Sequence, residues 1–360
     1  MNAMNRIRFE KREKISTART VATSLVSVAL ALAFCGILIL IVGSNPLDVY
    51  GTMLMKVFLS PSGIEKMFSS SLPLIFCGLG VALTFKMNLS NIGAEGQYAM
   101  GVIAGGAFVL LGPDIEGIPG LIITAICCFL GGAFWALLCA IPKAYWGVNE
   151  SITTLMMNYI ALMVLTYLCL GPWKMQGQNI GMTERIPRSM DLPEIQIGEM
   201  AISVGIILGI VVAGIIFYAY KCTTGGYQLL VISKSPKSAE YAGISIKKNI
   251  LTVMALSGGL AGLAGFAQYA GVTHRIVENM PNNAGYTAIV IAYLSRLNPF
   301  VVVLVSVLFG GLQNSTTYVQ SFGVPSQIAT MMQGVIMIFV IAGEFFQRYK
   351  IVVMKEDKAC

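Results

Sequence analysis

Long apolar runs alternate with short polar segments along almost the whole chain. The runs are continuous for about 20 residues, the length that an α-helix needs to cross the hydrocarbon core of a bilayer. A shorter apolar segment, Ala284–Leu294, is interpreted as a tenth helix, a half-helix or a re-entrant segment. Leu47–Leu59 carries apolar residues at helical spacing, which predicts a helix lying at the membrane interface. Spans are predicted at residues 21–43, 67–85, 91–112, 119–141, 151–172, 200–220, 249–272, 299–321 and 325–346.

The amino-acid composition indicates the class of protein to which this pattern belongs. Hydrophobic residues make up 56% of the 360 residues and charged residues only 11%, whereas soluble domains carry about 25% charged residues. A transmembrane β-barrel would show segments of about ten alternating residues instead of continuous runs. The sequence therefore predicts an all-α membrane protein, a polytopic bundle of about ten transmembrane helices, one of them short or re-entrant.

The distribution of cations predicts the orientation of this bundle. With ten crossings and both termini in the cytoplasm, 18 of the 24 Lys and Arg fall on the cytoplasmic side, as the positive-inside rule requires. Nine crossings would place the basic C-terminal tail outside. We expect a cytoplasmic basic segment at residues 1–20, a transmembrane domain at 21–346 with a cytoplasmic loop at 221–249, and a cytoplasmic tail at 347–360.

Several kinds of chemistry find no support in the sequence. No GxxxxGK[ST] phosphate-binding loop is present, so the chain has no evident site for ATP hydrolysis. The single His274 has no metal-ligand spacing to any of the eight Cys, and no CxxC pair occurs. No basic segment is interleaved with aromatic residues, which argues against nucleic-acid binding. We expect no cofactor and no metal in this chain. We also expect a transport pathway that does not hydrolyse ATP itself.

Polar residues interrupt the apolar pattern most sharply near the start of the third predicted span. Glu95 is the only acid well inside a span, and it is either part of a cavity or gate, or a helix cap at the inner interface. Tyr286 heads the short segment, where it either stacks on a base or sugar ring or anchors the interface. The candidate pathway residues are Asn91, Glu95, Gln97, Asn158 and Tyr286.

One later span carries small residues on a single face. Gly258, Gly262 and Gly265 follow the spacing i, i+4, i+7, which places them on one side of a helix. Small residues on one face allow two helix backbones to approach closely in a membrane. We expect these glycines to serve helix packing.

Nine short blocks, taken in order, resemble a known transporter family. They are similar to the membrane-spanning permease subunits of bacterial ABC importers for nucleosides and simple sugars, which are related to the ribose and branched-chain amino-acid permeases. The blocks are Leu72–Gly80, Asn91–Gln97, Gly147–Glu150, Thr154–Tyr159, Ser235–Ile244, Gly258–Gly265, Gly285–Ile289, Arg296–Pro299 and Phe309–Asn314.

The resemblance implies a transport subunit, not an enzyme, in a bacterial cytoplasmic membrane. Its implied partners are an ATP-binding-cassette ATPase, a second permease, with a heterodimer favoured, and an extracytoplasmic substrate-binding lipoprotein; contact with membrane lipids is also expected. Trp173–Glu199 is the expected docking surface for the binding protein, and the loop at 221–249 the expected ATPase contact. The central coupling residues would be Ser235, Pro236, Ala239, Glu240, Tyr241, Ala242 and Gly243.

The same resemblance favours a nucleoside as substrate. The block Asn91–Gln97 is similar to that of the nucleoside branch, whereas ribose-type permeases usually carry an Asp-containing block there. A simple sugar or a flavin is the alternative substrate, and a stand-alone channel or secondary carrier is the alternative of a different class.

Overall fold

The structure is a computed structural model and describes residues 6–11, 17–113, 115–177, 180–320 and 322–354. The chain forms two compact units, residues 1–54 with 315–360 and residues 55–314. The helices are α1 (Thr17–Ile41), α2 (Pro46–Met53), α3 (Pro61–Lys86), α4 (Ala94–Leu111), α5 (Gly117–Trp146), α6 (Glu150–Leu170), α7 (Gly205–Cys222), α8 (Thr224–Lys234), α9 (Pro236–Tyr241), α10 (Ile246–Gln268), α11 (Ala284–Leu294), α12 (Pro299–Gln320) and α13 (Ser326–Arg348). The strands are β1 (Arg6–Lys11), β2 (Glu194–Ile197), β3 (Met200–Ser203) and β4 (Tyr349–Met354). Two π-helical turns, Leu54–Leu59 and Tyr269–Thr273, and a 3₁₀ turn, Arg188–Met190, complete the elements.

The first unit brings together the first and the last strand that the structure describes. Strands β1 and β4 pair antiparallel, with Arg6 opposite Met354 and Lys11 opposite Tyr349. Helices α1 and α13 pack along each other, and the thiol of Cys35 lies 3.7 Å from the Met332 carbonyl. Both described ends therefore lie at the same side of this unit.

The second unit is built around α3 and α10. Their apolar windows are 83% and 72% buried, whereas the windows of α6 and α7 are each only 28% buried. Helices with so little of their apolar surface covered are suited to contact lipid, because lipid tails solvate apolar side chains. The centre of the unit is therefore α3 with α10, and the exposed helices surround it.

Among the described residues, seven helices are long and apolar enough to cross a membrane. They are α3, α4, α5, α6, α7, α10 with its π-turn, and α12, and the shorter apolar stretches are Val26–Ile41, Ala284–Leu294 and Gly334–Gly343. The prediction of a polytopic, mainly helical membrane protein is confirmed. Helix α11 is only 11 residues long, about 16 Å at 1.5 Å per residue, so alone it cannot cross a core of about 30 Å.

The predicted span at 200–220 begins too early. Residues Met200–Ser203 form strand β3, which pairs with β2, and α7 starts only at Gly205. The hairpin is possible because Gly198 adopts a φ of 64° in the turn, a conformation that costs glycine little. Hydropathy alone did not separate this strand from the helix that follows it.

The three aligned glycines of α10 face two neighbouring helices. A Cβ on Gly262 would overlap the carbonyl of Cys128 in α5, and a Cβ on Gly265 would lie 2.6 Å from Val102 in α4. Gly258 likewise meets the backbone of Gly132 in α5. Gly258 and Gly262 therefore allow backbone-to-backbone contact with α5, whereas Gly265 makes room for the Val102 side chain. Both kinds of contact provide close packing in a membrane protein.

Candidate functional site

The chain between α3 and α4 is not helical, and this break begins the site. Helix α3 ends at Lys86, Asn88 adopts a φ of 60°, and α4 starts only at Ala94. Non-helical backbone at membrane depth needs partners from the protein, because hydrocarbon offers it none. The surrounding side chains supply these partners.

Helix α6 presents a stripe of polar side chains to this break. Glu150, Thr154 and Asn158 recur every fourth residue and so share one helix face. The Glu150 carboxylate accepts the Ser90 N–H at 3.3 Å, and the Thr154 hydroxyl accepts the Ile92 N–H at 3.2 Å. Asn158 donates to the Ile92 carbonyl at 2.9 Å and accepts the Gly96 N–H at 2.9 Å. The side chains of this stripe therefore supply hydrogen-bond partners for the non-helical backbone between α3 and α4.

The side chains of Asn91 and Gln97 form a fully buried polar pair. The Asn91 amide donates to Gln97 Oε1 at 3.0 Å and to the Ser257 hydroxyl of α10 at 3.0 Å. Its carbonyl oxygen accepts from Gln97 Nε2 at 3.1 Å and from the Gly93 N–H at 2.9 Å. Asn91 thus fixes the start of α4 against α10.

Glu95 caps the amino end of a different helix from its own. One carboxylate oxygen accepts the Asn283 N–H at 2.8 Å, and the other accepts the Gly285 N–H at 2.7 Å, both at the start of α11. The side chain is only 2% exposed, so the carboxylate depends on these protein partners. A carboxylate at this position satisfies orphan N–H groups and the positive end of the helix dipole. A capping role was one of the two expectations, but the capped helix was not foreseen.

Tyr286 is the partly exposed member of the five candidate residues. Its hydroxyl accepts a hydrogen bond from Asn158 at 3.2 Å, whereas the other four side chains are buried. Asn158 lies eight residues into α6, about 12 Å from its start. Hydrogen bonds join Asn91 to Gln97 and Asn158 to Tyr286, and Glu95 binds the backbone next to Tyr286. Of the five candidates, only Tyr286 is partly exposed.

Three partners of this network, Glu150, Thr154 and Ser257, were not among the predicted pathway residues, although Glu150 ends one of the resembling blocks. Thr154 belonged to a resembling block without a role, and Ser257 was not singled out. The signal for Thr154 was its spacing of four from Asn158 on an otherwise apolar helix. Ser257 offered no comparable pattern, because a lone serine in a membrane helix is common.

The predicted coupling segment forms two short helices, as its length allowed. Ser235 caps α9 by accepting the Ser238 N–H at 3.2 Å, and Pro236 occupies the first turn. Ala239 is fully buried in an apolar cluster with Leu229 and Ile232. Tyr241 at the end of α9 is 95% exposed. Glu240, Ala242 and Gly243 are also exposed.

The predicted docking segment folds back over the far end of α10. The Thr183 N–H donates to the Ile276 carbonyl at 3.0 Å, and the Leu192 N–H donates to the Ala270 carbonyl at 2.9 Å. Asp191 lies 2.8 Å from both Arg185 Nη2 and His274 Nδ1. The segment is therefore tied to the core, while Ile180 and Ile195 remain exposed.

Comparison with known proteins gives a single family over most of the chain. Residues 63–341 match the family model described as branched-chain amino acid transport system / permease component. A guanosine ABC transporter permease protein of Bacillus subtilis is 30% identical over 88% of this chain and 91% of its own length. A glucose ABC transporter permease protein of Haloferax volcanii is 29% identical over 96% and 93%. A nucleoside ABC transporter permease protein of Lactococcus lactis is 27% identical over 89% and 91%.

Proposed function

This chain belongs to the family of branched-chain amino acid transport system permease components, and on that premise we propose that it forms the translocation path for nucleosides in an ATP-binding-cassette importer. Permease subunits are transport components without a catalytic site of their own. The observation that carries the substrate is the similarity, over about nine-tenths of the chain, to permeases named for guanosine and for nucleosides.

The ATPase partner would grip α9. Its end is exposed at Tyr241, Ala242 and Gly243, while Ala239 anchors the helix in the apolar cluster beneath. A small protruding helix with a buried anchor transmits force, because it moves with the core to which it is fixed. Energy would enter the chain only through this contact.

The other proposed partners contact parts of the chain other than α9. A substrate-binding lipoprotein would dock on residues 173–199, which are held to the end of α10 by backbone hydrogen bonds. A second permease would complete the path, with a heterodimer favoured.

The pairing of β1 with β4 supports an even number of crossings, because it brings both described ends to one side. With the distribution of Lys and Arg, this favours ten crossings with cytoplasmic termini in a bacterial cell membrane.

Tyr286 would be the residue of this chain that meets the substrate. Its ring is partly exposed, and Asn158 holds its hydroxyl. An aromatic ring held in this way can stack on a nucleobase, since every base offers a π-face. Asn91, Glu95, Gln97 and Asn158 would position this ring and the start of α11 instead of touching substrate themselves.

A sugar is the second candidate substrate. The glucose permease of Haloferax volcanii is similar over 96% of this chain, a longer match than that of either nucleoside permease. A sugar also stacks on aromatic rings, so Tyr286 does not separate the two classes. Only transport measurements separate them.

The deciding experiment is uptake in cells with and without this gene. Labelled guanosine, uridine, ribose and glucose are offered separately, with uptake of an unrelated amino acid as the control. We expect loss of guanosine and uridine uptake alone. Unchanged nucleoside uptake together with lost sugar uptake would overturn the nucleoside proposal in favour of the sugar.

A further inference from the structure

A basic cavity lies at the end of the second unit that carries α8. It has a volume of about 330 Å³ and is lined by Lys86 at the end of α3, Lys221 at the end of α7, and Arg296 between α11 and α12. No Asp or Glu is among the described residues that line it. Three cations around one small cavity with no acid in its lining make it complementary to an anion.

An apolar groove adjoins this cavity. It has a volume of about 390 Å³ and runs between α7 and α10, with walls that include Val212, Ile216, Leu256 and Leu260. Its lining follows α10 from Asn249 to Leu263, about 21 Å at 1.5 Å per residue. One leaflet of a core of about 30 Å accounts for about 15 Å, so the groove is long enough for an acyl chain.

Tyr220 lies where the two cavities meet. It lines both of them, as does Gly226, and among the described residues its buried hydroxyl has no hydrogen-bond partner. The Lys86 ammonium lies 5.5 Å from the centre of its ring. A buried hydroxyl without a partner is costly, and here an acceptor oxygen from a bound molecule would satisfy it.

We propose that this paired cavity binds one anionic phospholipid. The phosphate lies among Lys86, Lys221 and Arg296, the Tyr220 hydroxyl donates to a phosphate or glycerol-ester oxygen, and an acyl chain fills the groove between α7 and α10. Basic pockets between transmembrane helices are known to suit such headgroups. A free phosphate would leave the groove unfilled, and an apolar partner helix would place no anion beside the Lys86 and Lys221 ammonium groups. This proposal needs only membrane insertion and does not depend on the transported substrate.

The test is a binding measurement on the full-length chain, purified with its partner subunits in a neutral detergent. Native mass spectrometry and thermal unfolding are recorded with phosphatidylglycerol, phosphatidylcholine or inorganic phosphate added. We expect retained phosphatidylglycerol and a raised unfolding temperature, with a weaker effect of phosphatidylcholine and none of phosphate. Equal effects of the two lipids, or an equal effect of phosphate alone, would overturn the proposal.

Two sets of variants locate the site. The double variant K86Q/K221Q should bind phosphatidylglycerol roughly 25-fold more weakly, because each removed cation near an anionic surface accounts for about fivefold. Lys234→Gln, an exposed change on α8 outside both cavities, should leave binding unchanged. An unchanged affinity of the double variant would overturn the proposal.

Tyr220→Phe and Leu256→Trp test the junction and the groove. We expect Y220F to weaken phosphatidylglycerol binding severalfold, and the matched change Tyr218→Phe, on an exposed tyrosine of the same helix, to have no effect. L256W should exclude the acyl chain. In the assembled complex, a photo-crosslinking residue at position 256 should capture lipid; an adduct with the ATPase or the second permease would instead show that a protein covers the groove and would overturn the proposal.

Discussion

The side-chain amide of Asn88 donates a hydrogen bond of 2.7 Å to the backbone carbonyl of Ser233, 145 residues further along the chain. Asn88 belongs to the break between α3 and α4, and Ser233 to the last turn of α8. The break leads into the first turn of α4, where the carboxylate of Glu95 caps α11. The contact thus connects α8, the helix that directly precedes the proposed ATPase contact α9, to the buried network through seven residues of chain. We propose that movement of α8 would reach the start of α11 by this route.

Replacing Asn88 should uncouple these elements without unfolding the protein. Asn88→Gly keeps the φ of 60° accessible and removes the amide. A hydrogen bond of this kind contributes about 1 kcal/mol, so we expect a severalfold loss of transport at normal membrane abundance. Uptake and ATP hydrolysis by the assembled importer are measured together; hydrolysis should continue while uptake falls. A variant with unchanged uptake would remove Asn88 from the coupling route.

Glu95 should be more important for stability than an ordinary membrane-helix residue. In Glu95→Ala, the N–H groups of Asn283 and Gly285 lose their acceptor, at about 1–3 kcal/mol for each buried donor. Glu95→Gln keeps one acceptor oxygen and should cost less. Thermal unfolding in detergent measures both, with Glu184→Ala as the exposed control. Similar unfolding temperatures for all three variants would contradict the capping role.

Gly262 should not tolerate even one added methyl group. Gly262→Ala forces a Cβ into the Cys128 carbonyl of α5, and α10 must move away. Overpacking of this kind typically costs about 1–3 kcal/mol. Gly214→Ala in α7 is the matched control, since a Cβ there meets no atom within 4 Å. We expect G262A to lower the unfolding temperature and G214A to leave it unchanged or raise it; the reverse order would refute this packing.

Tyr241 should affect coupling and not folding. Its side chain is 95% exposed, so Tyr241→Ala removes almost no internal contact. We expect wild-type unfolding temperature with a loss of uptake and of ATPase binding in pull-down assays. Tyr227→Ala, at a 65% exposed tyrosine on α8, is the control with a similar change in surface. Normal ATPase binding by Y241A would place the contact elsewhere. Ala239 is unsuitable for this test, because it is buried and a larger side chain there would disturb α9 itself.

The sequence by itself determined the class of protein, most of its helices and the segments that carry unusual chemistry. Apolar runs of about 20 residues are sufficient for this, because the thickness of the bilayer fixes the length of a span. The break at Asn91–Gln97 was visible for the same reason: polar side chains stand out against an apolar background. The glycine pattern of α10 likewise predicted its packing face, since helical spacing needs no tertiary information.

Only the tertiary structure decided which groups meet. Glu95 lies 188 residues from Asn283 in the chain, Asn91 lies 166 from Ser257, and Asn88 lies 145 from Ser233. Spacing along one helix predicts a shared face but not the neighbour against which that face packs. The sequence therefore identified Glu95 as exceptional, and the fold showed that its carboxylate caps α11, because only the packing of α4 beside α11 brings those two backbone N–H groups within its reach.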